Sequence, residues 1–244
     1  MKTDTIASIA TAVSDSGIGI IRVSGEEAIS IVHKIYQNKK KKYVLQNYAS
    51  HTIHYGFIME ENGNIIDEVM VSVMKAPRSY TMEDTVEINC HGGALMMKKI
   101  LMAVTKAGAR IAEPGEFTKR AFLNGRIDLS EAEAVMDVIH AKNEFALKSS
   151  VNQLRGSVFE KIKELRDKIL YEIAFIESAL DDPEHISLDG YTDRLSEQAI
   201  SIAKELKKLL SSADDGRMLK EGMDEFQIIR VTGCTKAELA EAGR

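Results

Sequence analysis

The chain has 244 residues, 44% of them hydrophobic and 28% charged, with a formal net charge of −5 at pH 7. That length and balance exclude a disordered or collagen-like polymer and leave room for two structural units, each with its own core. The acidic total gives no general attraction to nucleic acid, so any RNA contact has to come from a local basic patch.

Up to about Ile111 the pattern is mixed α and β. Thr5–Ala10 and Gly17–Val23 are short apolar runs separated by polar turn residues, which predicts strand, turn, strand. Ser24-Gly25-Glu26-Glu27 has the form of a capping box, and Ala28, Ile31, Val32 and Ile35 follow at helical spacing to about Tyr36. Lys39-Lys40-Lys41-Lys42, with Lys34 nearby, is the candidate basic patch; the alternative is a solvated loop. Thr52–Ile58 and Ile65–Met74 flank Asn62-Gly63, a hairpin signal. Thr85–Cys90 predicts a strand with Val86, Ile88 and Cys90 on one face and Glu87 and Asn89 on the other. His91-Gly92-Gly93 then opens a helix through Ala107, packed by Met97, Ile100, Leu101 and Val104 and ended at Gly108 by a left-handed C-cap.

Beyond about Thr118 only helical spacing remains. Ser130-Glu131-Ala132-Glu133 reads as a second capping box. The apolar stripe Val151, Leu154, Val158, Ile162, Leu165, Ile169, Ile173, Ile176 and Leu180 predicts one long amphipathic helix, stopped by Asp181-Asp182-Pro183. A further helix over about Thr192–Ser212 predicts an antiparallel pair. Phe226–Val231 reads as a short strand and Lys236–Ala242 as a short helix. The expected fold class is therefore α+β: an N-terminal mixed α/β domain followed by an all-α region of long helices.

Cys90 and Cys234 are far apart and share no metal-ligand spacing with a histidine, which points to a reducing, cytoplasmic compartment and no metal site. No apolar stretch approaches the ~20 residues needed to cross a bilayer, so no membrane partner is expected. Cys90, on the apolar face of its strand, reads as an inert core thiol and not a nucleophile. His91 beside two glycines at a helix start has the form of an anion site; the alternative is that the glycines permit close packing and His91 merely caps. Glu116 and Arg120 are spaced for a structural ion pair.

Several segments together resemble the MnmE (TrmE) family of tRNA-modifying GTPases. They are Asp4-Thr5-Ile6-Ala7, Gly17 to Gly25, Tyr80-Thr81-Met82-Glu83-Asp84 running into Glu87 to Gly93, Pro114-Gly115-Glu116-Phe117-Thr118, Arg120 to Leu129, and Glu131-Ala132-Glu133-Ala134. The likeness runs from about Thr3 to Met223. It implies a tetrahydrofolate-binding and dimerisation domain over 1–118, a partial helical domain over 119–216, and a divergent tail over 217–244 where the family's G domain would begin. Residues matching the family's folate contacts are Arg22, Glu87 and Arg126, the last standing where many members carry lysine. Glu87 would accept from the pterin, and the two arginines would orient the carrier (a 5-formyl- or 5,10-methylene-tetrahydrofolate) or its tail. Without the resemblance, Glu87 reads as a solvated strand carboxylate and Arg22 as a surface arginine at a strand end.

The resemblance further implies a homodimer working with an MnmG-like flavoprotein on C5 of the tRNA wobble uridine. GTP with magnesium and potassium is expected of the full-length family but not of this chain, which has no G-x-x-x-x-G-K-[ST] loop and closes Glu241-Ala242-Gly243-Arg244 without the family's Cys-x-Gly-Lys. A truncated product with no catalytic residue of its own is the expectation. The alternatives are a stand-alone folate-dependent one-carbon transferase, for which only Glu87, Glu116 and His91 offer acid–base groups, and a scaffold that docks the MnmG partner.

Overall fold

The computed structural model describes residues 4–38, 44–186 and 188–220. Contacts divide the chain into two compact units, Met1–Ile127 and Asp128–Arg244. The first is α/β and the second all-α, the architecture expected from the sequence.

In the first unit the described strands form one sheet in the order β3-β4-β5-β6-β2-β1-β7. Strands β1 (Ile6–Ile9) and β2 (Gly19–Ser24) pair antiparallel, and β2 pairs β6 (Thr85–Cys90) with Arg22 opposite Glu87. β6 also pairs β5 (Ile65–Met74), which makes a hairpin with β4 (Thr52–Met59), and β3 (Tyr36–Asn38) forms one edge. The other edge is β7 (Arg110–Ile111), the one parallel neighbour, laid against β1. The hairpin turn closes as its sequence predicts: the Glu60 amide donates to Asn64 O at 2.8 Å, and Asn62 Oδ1 accepts from the Asn64 amide at 2.9 Å.

Helices α1 (Ala28–Ile35) and α2 (Ala94–Lys106) cover one face of this sheet. Between sheet and helices lie Ile21, Val23, Ile31, Val32, Val71, Val86, Ile88, Met97, Ile100 and Val104, all fully buried. Each such side chain stabilises the unit by ~1.5–3 kcal/mol through removal from water. Gly92 sits at the turn into α2 because nothing larger fits: a Cβ there would lie 2.0 Å from the Ser16 carbonyl oxygen. A third helix, α3 (Glu116–Leu123), completes the unit.

Three capping expectations are corrected. Ser24 does not cap α1; it is the last residue of β2, and its hydroxyl lies 2.6 Å from Thr81 Oγ1 and 2.8 Å from Glu83 Oε2. Pairing with Thr85 carries the strand to Ser24, so Glu27 becomes the N-cap, with no side-chain capping bond. The second capping box lies two residues earlier than Ser130: Asp128 Oδ1 accepts from the Glu131 amide and Glu131 Oε2 from the Asp128 amide, both at 2.8 Å. Gly108 has a positive φ of 129°, outside the left-handed helical region expected of a C-cap.

The second unit contains α4 (Leu129–His140), α5 (Glu144–Leu154), α6 (Ser157–Asp181) and α7 (Tyr191–Lys220). The single long helix expected over Val151–Leu180 is two helices. Gly156 takes φ 79° and breaks the chain between α5 and α6, although the apolar spacing runs through the break. α6 stops at Asp181 as expected, and α7 extends past Ser212 to Lys220. The two run antiparallel, since Lys161, early in α6, pairs with Glu205, midway along α7, at 2.8 Å, while Glu172, further along α6, meets Tyr191 at the start of α7. There Tyr191 Oη donates to Glu172 Oε2 at 2.8 Å and the Arg194 guanidinium lies 3.5 Å from the same oxygen. The lysine run 39–42 and the strand and helix expected within 226–242 lie outside the described residues.

Candidate functional site

The face of the sheet away from α1 and α2 carries the polar residues of the alternating strands. On it, Arg22 Nε donates to Glu87 Oε1 at 2.8 Å, across the β2–β6 register, with both side chains partly exposed. Oε2 of Glu87 takes no hydrogen bond from a described residue. The Arg22 guanidinium also lies 5.7 Å from the ring centres of both Tyr80 and Phe117.

Arg126, just after α3, brings the third residue in. Its guanidinium stands 4.9 Å from the Tyr80 ring centre and donates to the Tyr80 carbonyl at 3.4 Å. The Arg22 and Arg126 guanidiniums therefore both lie within cation–π range of one aromatic ring, and Glu87 joins them through its ion pair with Arg22. Tyr80 is itself fixed, its hydroxyl 3.0 Å from Thr118 Oγ1. Neither Tyr80 nor Phe117 was singled out in the sequence, where only Tyr80's place in the loop before Glu87 and Phe117's place before Arg120 carry any hint of them. Beside the trio opens a cleft of about 510 Å³ lined by His51, Met74, Pro77, Arg78, Ser79, Tyr80, Met82 and Arg126.

The site rests on a compact ionic network that holds α3 to the sheet. Arg120, buried, donates to Asp4 Oδ1 (3.0 Å), Glu83 Oε1 (3.2 Å) and Glu116 Oε1 (3.1 Å), and Arg110 donates to Glu116 Oε1 at 2.6 Å. The Arg110 hydrogen bonds, reinforced by the Glu113 amide and by Arg120, pull the Glu116 carboxyl down to about 2. Glu116 and Arg120 are thus the structural pair expected from their spacing.

The remaining candidates resolve on the opposite side of the sheet. Cys90 is buried, and desolvation pushes its thiol up to about 11, which leaves it protonated and unreactive. At His91 the anion is one of the chain's own: Asp67 Oδ2 accepts the His91 amide at 2.8 Å, and Oδ1 lies 2.7 Å from Nδ1, raising the imidazole pKa. Of the two helix-start glycines, Gly92 serves close packing, whereas Gly93 has open space around it and takes φ 127°. Among the described residues no three His, Cys, Asp or Glu side chains are grouped to hold a metal ion, and no helix is long and apolar enough to cross a membrane.

Comparison with known proteins places both units. The sequence model described as "GTP-binding protein TrmE N-terminus" matches residues 5–126, and that of the "MnmE helical domain" matches 129–240, continuing beyond Met223. The tRNA modification GTPase MnmE of Lachnoclostridium phytofermentans is 60% identical over 223 residues, 91% of this chain and 48% of the relative. The protein of that name from Bacillus subtilis is 48% identical over 229 residues, 93% of this chain and 50% of the relative. The chain spans about half the length of the curated relatives it matches. With one unit matched by the family's N-terminal model and the other by its helical model, the chain belongs to the MnmE/TrmE family.

Proposed function

We propose that the first unit binds a tetrahydrofolate one-carbon carrier, as a 5-formyl or 5,10-methylene derivative, and contributes it to modification of the tRNA wobble uridine at C5. The observation that supports this most is that Arg22 and Arg126 flank the Tyr80 ring while Arg22 is ion-paired with Glu87. The donor set suits a reduced pterin: Glu87 Oε2 can accept from the amino and ring N–H pair, the Tyr80 ring gives a flat wall, and Arg126 offers a guanidinium to a carboxylate. The carrier supplies the one-carbon unit; the protein's residues bind and orient it.

Action as a homodimer is part of the same reading, supported by Ile53, Tyr55 and Met70, which keep 66%, 46% and 47% of their surface exposed on strands of the open face. Work with an MnmG-like flavoprotein is a further part of the same reading, supported by the family resemblance alone. No GTP hydrolysis, and no magnesium or potassium site for it, is assigned to these 244 residues, which contain no G-x-x-x-x-G-K-[ST] loop.

Isothermal titration with 5-formyltetrahydrofolate tests the binding reading. Replacing Glu87 by alanine removes a charged acceptor worth ~1.5–3 kcal/mol, so Kd rises roughly tenfold or more. An unchanged Kd in that variant sinks the assignment.

A further inference from the structure

The cleft beside Tyr80 has a character of its own. Its eight lining residues include Arg78, Arg126 and His51 and no carboxylate. Elsewhere in this unit the arginines are spent on acids: Arg22 on Glu87, Arg110 on Asp4 and Glu116, Arg120 on Asp4, Glu83 and Glu116. Among the described residues, exposed Arg78 has no ion pair and Arg126 donates only to the Tyr80 carbonyl. A guanidinium carries five N–H donors in a fixed fork, so most of this cleft's donor capacity is uncommitted.

The backbone marks the same place. Among the described residues, His51 (φ 64°) and Met82 (φ 60°) are the two non-glycine residues with positive φ, and both line this cleft. Each such conformation costs on the order of 1 kcal/mol or more and collects at sites where a fixed shape matters. The volume of about 510 Å³ lies within the ~300–1,000 Å³ usual for small-molecule sites.

We propose that this cleft is a subsite for a run of carboxylates, and that the ligand it fits is the γ-linked oligoglutamate tail of a folate whose pterin lies at Glu87. The identification of the tail rests on the folate reading above; the cationic, acid-free lining does not. Tyr80 joins the two parts, because its ring contacts both Arg22, which holds Glu87, and Arg126, which lines the cleft. A ligand running from Glu87 to Arg78 therefore meets an acceptor first and guanidinium donors last, the order in which a folate presents its pterin and its carboxylates.

Titration calorimetry on the full chain compares 5-formyltetrahydrofolate bearing one glutamate with the form bearing five γ-linked glutamates. The longer form is expected to bind roughly tenfold tighter, a gain that shrinks as salt is raised. Arg78→Gln is expected to abolish most of that gain while leaving the monoglutamate Kd within about twofold, as the neutral amide cannot pair with a carboxylate. Equal affinity of the two forms, or a gain that survives Arg78→Gln, overturns the proposal. Penta-γ-glutamate without a pterin separates the two readings. If the monoglutamate fails to bind but this peptide binds in an Arg78-dependent way, the folate reading falls and the carboxylate cleft stands; if neither binds, both fall.

Discussion

In the sheet unit Ile21, Val23, Val71, Val86 and Ile88 are wholly buried, whereas in the helical unit Val158, Ile162, Ile169 and Ile173 each keep more than a third of their surface in water. A sheet with two helices on one face encloses its own core. In the second unit the buried apolar residues include small ones such as Ala134, Ala146 and Ala179, and α6 is tied to α7 by the Glu172–Tyr191–Arg194 contact. Stability is therefore distributed unequally, and the site residues Arg22 and Glu87 stand on the part of the molecule that holds itself together. Arg126 stands at the end of that part, after α3.

The contrast is sharpest for core truncations. Ile88→Ala is expected to destabilise the sheet unit by about 4 kcal/mol, while Ile162→Ala costs under ~1 kcal/mol because its side chain is already half in water. Native-state hydrogen exchange at β2 and β6 amides against α6 amides reads the two separately; equal losses would break the comparison. Acid acts next. Glu116 has its pKa held at about 2, below the ordinary 4.5, so its ionised form stabilises the sheet unit fully above about pH 4.5. That contribution, up to ~3 kcal/mol, is lost as the pH falls through about 2, and Glu116→Gln should flatten the dependence of the sheet unit's unfolding midpoint on pH. The smallest effect lies in the helical unit: Tyr191→Phe removes one hydroxyl donor to Glu172, for about 1 kcal/mol, seen as faster exchange in α6 and α7 with β2 and β6 unchanged.

Strands β2, β4, β5 and β6 were legible because each is a local alternation that the buried face enforces, and Glu87 opposite the apolar parity of Val86 and Ile88 followed from it. The cap at Ser24 was misread for the opposite reason. Its hydroxyl is claimed by Thr81, 57 residues away, and no local pattern records that. The break at Gly156 was hidden because hydrophobic spacing does not register one residue turning left-handed between two helices. At the site, Arg22, Glu87 and Arg126 came from motif likeness, but the union of Arg22 and Arg126 through Tyr80 is a property of chain path: one ring is set against two arginines.

The short strand β7 has a further consequence, for how the protein is made. The amides of Arg110 and Ala112 donate to the carbonyls of Thr5 and Ala7, so the first strand finds its outer neighbour only after more than a hundred residues have left the ribosome. Until then that strand presents an unpaired edge to whatever is nearby, a template for association with other nascent chains. Pairings of such long sequence separation also form late, because the loop must close before the contact rewards it. The last turn of the sheet to zip is thus the one that carries the chain's own beginning.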